Sequence, residues 1–307
     1  MPEKSVALID AGSNTIRMNL YSIADEKPSL MISTKATAGL AGYVKHGSLH
    51  PEGVKKLVDI LQEFQAIIKA LKIDAVYVFA TQSLRDLKNS SDILEHVRQE
   101  TGLQIDLLAG SEEARLSWNG AKKSFVSDDG IYCDIGGGSS EVVFFEKGAI
   151  TNAVSIPEGS LSLYTKHVRS LLPDPQELET IEKKLRKRIK QALENPKHLK
   201  KPVLYAAGGS ARSILALMVS LNWLKPDEKT MSLHLLKDLI HLLQKDGDAS
   251  IKMLLKLSPE RIHTLFPGLM ILYTLADVCR AKTIVVCSQG VREGYLDEKV
   301  LNQSHEE

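Results

Sequence analysis

Hydrophobic positions along this chain switch repeatedly between a short, strand-like pattern and a helical spacing. In the first part, apolar runs predict strands over Val6–Asp10, Ile16–Ile23 and Ser29–Thr37. After Pro51, an apolar stripe at helical spacing predicts a long amphipathic helix, and Ala75–Ala80 then reads as a buried strand. Because strands alternate with helices in this way, the pattern indicates an α/β fold.

The second part of the chain repeats this plan. Its predicted elements are a helix over Gln176–Leu193 and strands over Ile131–Asp134, Glu141–Glu146, Ala149–Ile156, Val203–Ala207 and Thr283–Cys287. With 307 residues the chain has room for two domains of ordinary size. We expect them at 1–124 and 125–294, with a C-terminal helix over 295–307 as a candidate completion of the first domain.

A repeated strand–Asp–turn–strand unit is the clearest chemical signal. It occurs once at Asp10 and again at Asp134. Glycines in the turn let backbone N–H groups approach an anion, and a carboxylate at the strand end suits Mg²⁺. The turn residues expected to bind phosphate are Gly12, Ser13, Asn14, Gly136, Gly137, Gly138 and Ser139. One copy alone would be an ordinary corner, but two copies favour a paired phosphate site. Neither copy is a dinucleotide fingerprint or a Walker P-loop.

Three further features could contribute chemistry. Arg85 follows a buried strand, where its guanidinium could grip phosphate oxygens or simply pair with Asp86. Glu112 and Glu113 open a helix just before the second unit, and adjacent helical residues diverge by about 100°, so only one of them can face a site squarely. A third anion-friendly turn at a strand-to-helix junction comprises Gly208, Gly209 and Ser210.

Composition and charge narrow the class of protein. The formal net charge is +1, which argues against a dedicated nucleic-acid binder. The three cysteines form no Cys-x-x-Cys pair, and no apolar stretch is long enough to span a bilayer, so we expect a cytoplasmic protein without membrane association. A basic run over 183–190 keeps helical apolar spacing, and we expect its charges on the outer face, either solvated or as a polyanion track through Lys183, Lys187 and Lys190.

Taken together, the motifs resemble the exopolyphosphatase/guanosine pentaphosphate phosphatase family, within the sugar kinase–heat-shock protein–actin superfamily. The resemblance rests on six segments in order, namely Ile9–Arg17, Ala80–Arg85, Gly110–Leu116, Asp134–Glu141, Ala207–Arg212 and Ser288–Gly294. It implies two ribonuclease H-like domains flanking a cleft. Family members commonly carry an Arg and a Glu before the Gly47 turn, where this chain has none between Thr37 and Gly42.

The resemblance also implies a reaction, the Mg²⁺-dependent hydrolysis of a terminal phosphoanhydride, with Mn²⁺ as an alternative ion. Glu113 would be the base, and Arg85 and Arg17 would bind phosphate oxygens. Asp134, Asp10 and Glu141 would hold the metal. Inorganic polyphosphate is the leading substrate and guanosine pentaphosphate (pppGpp) the alternative, in a short two-domain homodimer. A kinase of the same superfamily and a non-catalytic polyphosphate or nucleotide sensor remain open.

Overall fold

The computed structural model describes residues 4–193 and 200–302, whose contacts divide the chain into two compact units. The first comprises Met1–Gly110 with Glu298–Glu307, and the second comprises Ser111–Asp297. Each unit has its own sheet and its own apolar core. The predicted α/β class is therefore confirmed in both units.

The first unit is built on a five-stranded mixed sheet with the order β3-β2-β1-β6-β7. Its strands are β1 (Lys4–Ala11), β2 (Thr15–Ala24), β3 (Lys27–Thr37), β6 (Ala75–Ala80) and β7 (Ile105–Leu107), and a separate hairpin contains β4 (Val44–Lys45) and β5 (Ser48–Leu49). Strands β1 to β3 form an antiparallel meander, whereas β6 and β7 extend the sheet in parallel to β1.

The α-helices among the described residues of this unit are α1 (Pro51–Ala70), α2 (Gln82–Arg85) and α3 (Ser90–Thr101). The proline at the first position of α1 suits a helix start, since its missing N–H would have no partner there. Leu57, Leu61 and Phe64 form part of the buried face of α1. Leu71 belongs to the predicted stripe but is exposed, because the helix has already ended.

A six-stranded sheet in the second unit repeats the topology of the first. Its strands are β8 (Gly130–Ile135), β9 (Ser140–Glu146), β10 (Ala149–Ile156), β11 (Val203–Ala207), β12 (Thr230–Ser232) and β13 (Thr283–Val286). The order β10-β9-β8-β11-β13 reproduces the meander followed by parallel strands, and β12 adds an antiparallel edge. This duplicated order is the ribonuclease H-like arrangement that the sequence predicted.

The helices of the second part are α4 (Gly110–Ala121), α5 (Ser160–His167), α6 (Pro175–Ala192), α7 (Gly208–Ser220), α8 (Leu233–Lys245), α9 (Gly247–Leu257), α10 (Leu265–Val278) and α11 (Val291–Tyr295). Apart from its first residue, α4 belongs to the second unit, since Trp118 packs with Phe145 and Phe125. The contacts therefore change units earlier in the chain than the domain boundary proposed from sequence, which remains a prediction.

Two features of these elements differ from their sequence patterns. Strand β3 lies at an edge, and its Leu30, Met31 and Ile32 are exposed although the pattern was apolar. A π-helical segment over Leu296–Leu301 occupies part of the predicted C-terminal helix, and 303–307 lie outside the described residues. Throughout the described part of the chain, every helix is too short or too polar to cross a lipid bilayer.

Candidate active site

The two Asp-containing turns share one close backbone approach. A Cβ atom added to Gly12 would lie 2.9 Å from the carbonyl oxygen of Thr15, and one added to Gly136 would lie 2.9 Å from that of Ser139. Real Cβ contacts are not this short, so both turns require glycine at this position. The structure therefore places Gly12 and Gly136 at equivalent positions, as the repeated sequence predicted.

The second turn directs its carbonyl groups into the start of α5. The backbone N–H of Ser160 donates to the Gly136 carbonyl at 2.9 Å, and those of Leu161 and Ser162 donate to the Gly137 carbonyl at 2.9 Å. The hydroxyl of Ser162 donates to the Gly138 carbonyl at 3.3 Å. In a trans peptide the C=O and N–H point in opposite directions. The N–H groups of residues 137–139 consequently point away from α5, and phosphate binding by these groups remains a prediction.

The first turn is held in a similar way, by Ser83 of α2 and by the segment that follows β3. The Ala11 carbonyl accepts a hydrogen bond from the Ser83 hydroxyl at 2.6 Å. The Ser13 carbonyl accepts one from the Ala41 N–H at 3.1 Å, and the Asn14 carbonyl accepts from the N–H groups of Ala38 and Gly39 at 3.0 Å. The contacts made by Ala38, Gly39 and Ala41 use backbone donors, so they do not depend on a charged side chain in the 37–42 segment. The N–H of Asn14, which is opposed to the Ser13 carbonyl, again points away from this segment, and that of Gly12 points away from Ser83.

The residue opposite the aspartate on the neighbouring strand differs in charge between the two units. Asp10 on β1 lies opposite Arg17 on β2, whereas Asp134 on β8 lies opposite Glu141 on β9. Directly paired residues of antiparallel strands have Cβ atoms about 4.5–5.5 Å apart. The first unit therefore has a basic residue opposite its aspartate, whereas the second unit has a second carboxyl group there.

Glu141 is buried close to two other carboxylates. Burial, followed by the negative charges of Glu113 and Asp134, raises the pKa of Glu141 well above its usual range, and hydrogen bonds from Ser155 and Ser139 offset only part of this effect. The Ser155 hydroxyl donates to Glu141 Oε1 at 2.8 Å. A protonated Glu141 is a poor metal ligand, because a metal binds the carboxylate form.

Glu113 lies in the first turn of α4 and is buried, whereas its neighbour Glu112 is only partly buried. The negative charge of Glu113 contributes to the raised pKa of Glu141, so the two carboxyl groups lie near each other. The structure thus distinguishes between the two acids, which the helical pattern alone could not do, because only Glu113 is buried. Its role as the base remains a prediction.

Asp134 is held by a chain of hydroxyl groups. The Ser117 hydroxyl donates to Asp134 Oδ2 at 2.6 Å and lies 2.6 Å from the Tyr132 hydroxyl. Since serine has a single hydroxyl proton, Tyr132 must donate to Ser117. Burial and the charge of Asp134 together raise the pKa of Tyr132 well above its usual range, so the phenol keeps this proton.

Two glycines leave room around the Asp134 carboxylate. A Cβ on Gly208 would lie 2.8 Å from Asp134 Oδ1 and 2.6 Å from the Ile135 carbonyl oxygen, and Gly208 also has a φ of +89°. A Cβ on Gly290 would lie 3.2 Å from Asp134 Oδ2. The third predicted turn and the C-terminal Ser288–Gly294 segment therefore converge on Asp134.

An arginine that the sequence analysis did not single out lies beside the start of α7. The Arg261 guanidinium lies so close to Gly209 that a Cβ there would overlap it. The Ser210 hydroxyl, by contrast, is buried against Gly268 of α10 and has no hydrogen-bond partner within the described residues. A phosphate-binding role for Ser210 remains a prediction, and it would have to use the backbone rather than the hydroxyl.

The two arginines predicted for the first unit already make contacts within it. Arg85 is largely buried, and it donates to the Leu108 carbonyl at 2.8 Å and to Asp86 at 3.3 Å. Arg17 donates to the Ser33 hydroxyl at 2.8 Å. Phosphate binding by either arginine stays a prediction.

The basic run on α6 does not lie wholly on the outer face, contrary to expectation. Arg186 bonds Glu182 at 2.7 Å and Asp277 at 2.8 Å, and Lys184 reaches the buried Glu158 at 3.1 Å. Long basic side chains can extend along a helix towards a buried acid while the apolar stripe still packs inward. Helical spacing alone does not reveal this behaviour.

A divalent cation fits the site through Asp134 more readily than through a cluster of ligands. Within 4–193 and 200–302, no group of three or more His, Cys, Asp or Glu side chains has an arrangement that could hold a metal. Mg²⁺ often uses only one or two carboxylates together with water and phosphate oxygens. Asp134 Oδ1 lies beside Gly208 as a candidate ligand of this kind, and metal ligation by Asp134, Asp10 and Glu141 remains a prediction.

A match to a protein-family model shows to which family this chain belongs. The model described as the Ppx/GppA phosphatase family matches residues 20–303. The chain belongs to this family. The resemblance inferred from the six sequence segments is thereby confirmed over most of the chain.

Two relatives of this chain have names that refer to different substrates. Exopolyphosphatase 1 of Mycobacterium tuberculosis is 34% identical over 173 residues, which cover 55% of this chain and 49% of that protein. The guanosine-5'-triphosphate,3'-diphosphate pyrophosphatase of Vibrio parahaemolyticus is 25% identical over 302 residues, covering 96% of this chain and 59% of that protein. The chain thus matches about half the length of these relatives.

A solved structure supports the fold. The crystal structure of the Aquifex aeolicus member of the Ppx/GppA family matches with a TM-score of 0.79 and 23% identity, and the alignment covers 99% of this chain and 100% of that one. At this identity the likeness concerns the fold alone. It confirms the actin-like class that the duplicated strand order indicates.

Proposed function

We propose that this Ppx/GppA member is an exopolyphosphatase, which hydrolyses the terminal phosphoanhydride of inorganic polyphosphate and releases phosphate with the help of Mg²⁺. One observation carries the proposal: the buried Glu113 carboxylate and the partly buried Asp134 carboxylate accompany a turn whose N–H groups point away from α5. Hydrolysis of a condensed phosphate requires an anion cradle, a carboxylate near a metal and a base for water.

Different groups of this chain would have separate roles in the hydrolysis. The N–H groups of residues 137–139 would bind oxygens of the terminal phosphate and stabilise the charge that develops on them. Glu113 would orient a water molecule and accept its proton as the water oxygen attacks phosphorus. The bond to the bridging oxygen then breaks, and the shortened chain leaves with the electron pair.

A metal ion would be held by Asp134 and by phosphate oxygens, and when bound it would supply charge neutralisation for the reacting phosphate. Ser117 would keep Asp134 Oδ2 in place and so leave Oδ1 for that contact. Mn²⁺ could substitute, because it accepts the same oxygen ligands.

The experiment compares phosphate release from long polyphosphate, tripolyphosphate and guanosine pentaphosphate, each with Mg²⁺, with Mn²⁺ and with excess chelator. We expect the highest kcat/KM with polyphosphate and loss of activity in chelator. A higher kcat/KM with guanosine pentaphosphate would make the alternative activity correct, and the name of the Vibrio relative is the observation that favours it. No release from any substrate would reject the hydrolase and leave the sensor.

The kinase alternative is tested by offering ATP with and without a sugar acceptor. ATP consumption that depends on the acceptor would contradict hydrolysis.

We also propose that the protein is a cytoplasmic homodimer. Its three cysteines are buried and unpaired, which supports a reducing compartment. Light scattering of the purified chain would decide its oligomeric state.

A further inference from the structure

A buried glutamate that the proposed mechanism does not use lies directly before the helix that braces the second turn. The Glu158 side chain is only 2% exposed. Its backbone carbonyl accepts a hydrogen bond from the Ser140 hydroxyl at 2.8 Å. The next residue, Gly159, packs so closely on the Gly137–Gly138 peptide that a Cβ there would lie 2.5 Å from the Gly137 carbonyl oxygen. Glu158 is therefore tied to the turn that would bind the terminal phosphate.

Three cations converge on this one carboxylate. Lys184 lies 3.1 Å from Oε1, Arg188 lies 3.8 Å from the same oxygen, and Lys166 lies 3.5 Å from Oε2. Burying a carboxylate is costly unless cations and hydrogen bonds compensate for it. One of the three cations is enough to neutralise the Glu158 carboxylate. The four side chains together therefore carry a net positive charge.

The cations retain access to solvent although their common partner is buried. The side chains of Lys166 and Arg188 are 49% and 47% exposed, and that of Lys184 is 28% exposed. Each ammonium or guanidinium group has several donors, and Glu158 can occupy only some of them. The remaining donors can bind a second anion, which would be attracted by the surplus charge.

Lys184 is further fixed by a neutral histidine. Its ammonium group lies 3.0 Å from His167 Nε2. Partial burial, followed by the charge of Lys184, lowers the pKa of His167. An ammonium group can only donate, so Nε2 must be the acceptor and the imidazole proton is on Nδ1. Lys184 is thus held from two sides.

We propose that Glu158 is a positioning residue that holds Lys184 and Arg188 beside the second turn, where they bind the part of a condensed-phosphate chain beyond its terminal phosphate. The inference rests on the proposed function, because it assigns a further subsite to the same substrate. It also divides the basic face of α6 into two parts, since Lys184 and Arg188 serve this subsite whereas Lys183 pairs at the surface with Glu179.

The test compares Glu158→Gln with Glu179→Gln, a matched control that removes the same charge from an exposed pair on α6. We expect Glu158→Gln to raise KM for polyphosphate by roughly tenfold, the loss of about one charge-assisted contact, with kcat little changed. Glu179→Gln should match the wild type. An unchanged KM in Glu158→Gln, or equal effects of both variants, would overturn the proposal.

A charge-balanced double variant separates positioning from a purely structural role. Glu158→Gln leaves the cations without their counter-charge and will lower the melting temperature by repulsion. Glu158→Gln with Lys184→Gln relieves part of that repulsion, so stability should recover while KM stays high, because the phosphate contact is still missing. Recovery of both stability and KM would show that Glu158 has only a structural role.

The subsite can also be tested without turnover. Calorimetric titration with tripolyphosphate in chelator should give weaker binding to Glu158→Gln than to the wild type and to Glu179→Gln. If the wild type releases no phosphate from any substrate, the proposed hydrolase fails, yet this titration still decides the role of Glu158. Equal affinities for all three proteins would reject the subsite even in an active enzyme.

Discussion

Ser117 donates its hydroxyl proton to Asp134 Oδ2 at 2.6 Å, and this hydrogen bond joins helix α4 to strand β8. The same helix carries Glu113 one turn earlier, so one element positions both carboxylates of the proposed mechanism. We therefore expect small changes at Ser117 to affect the metal requirement as well as stability.

Replacing Ser117 with alanine removes the donor to Asp134 and the acceptor of the Tyr132 phenol. The buried phenol is then unsatisfied, which should lower the free energy of unfolding by about 1–3 kcal/mol. The apparent Mg²⁺ concentration for half-maximal activity should rise, because Oδ2 is no longer held. Chemical denaturation and a Mg²⁺ titration measure the two effects.

Tyr132→Phe is the matched control for this prediction. It removes the phenol hydroxyl but leaves Ser117 free to donate to Asp134, so the Mg²⁺ titration should resemble that of the wild type. A shifted titration in Tyr132→Phe and none in Ser117→Ala would contradict the proposed role of Ser117.

Glu113→Gln should keep the fold and the affinity for polyphosphate but reduce kcat by roughly a hundredfold or more, because the amide cannot accept a proton from water. Glu112→Gln is the control, and its effect should be mild since that side chain is less buried. Steady-state kinetics of phosphate release measure both. A larger loss at Glu112 would reverse the assignment of the base.

Asp134→Asn removes one negative charge from a site that Mg²⁺ is expected to share with phosphate oxygens. Activity should fall, and more Mg²⁺ should be needed to reach half of the remaining maximum, since an amide is a weaker ligand for a hard cation. The measurement is phosphate release across a Mg²⁺ series. An unchanged Mg²⁺ dependence would assign Asp134 a structural role only.

Gly208→Ala should be strongly disruptive. The new Cβ would meet the Ile135 carbonyl and Asp134, and the backbone has a φ of +89° that costs alanine about 1–2 kcal/mol. We expect a lower melting temperature together with reduced activity. Gly247→Ala is the control, because a Cβ there meets no atom within 4 Å. Equal melting temperatures for the two variants would contradict this account.

The lowered pKa of His167 predicts a pH effect on stability. Since the unfolded chain binds the proton more readily than the folded chain, the free energy of unfolding should rise with pH between the lowered folded pKa and about 6.5, the usual value for histidine. The stabilisation is lost as the pH falls through that window. His167→Gln should flatten the slope there, as followed by denaturation at several pH values, and an unchanged slope would assign it to other groups.

The amino-acid sequence by itself determined the class of fold and the position of the two turns. The sequence predicted Ala75–Ala80, Ala149–Ile156 and Val203–Ala207 with the bounds that the structure has. Two of these strands, Ala75–Ala80 and Val203–Ala207, are continuously apolar because they lie in the interior of their sheets. The repeat of Asp, Gly and Ser was also visible, since glycine is required at equivalent turn positions in both units.

Only the tertiary structure decided which side chains share an environment. Ser117 and Asp134 are joined through a hydroxyl bond between a helix and a strand, and Arg261 reaches Gly209 from a different segment. Glu158 lies in a mainly apolar segment, yet its carboxylate contacts Lys166 of α5 and Lys184 of α6. Sequence periodicity reports the face on which a residue lies, whereas the partner depends on how distant elements pack. For this reason the charges around the turn could not be assigned from the sequence alone.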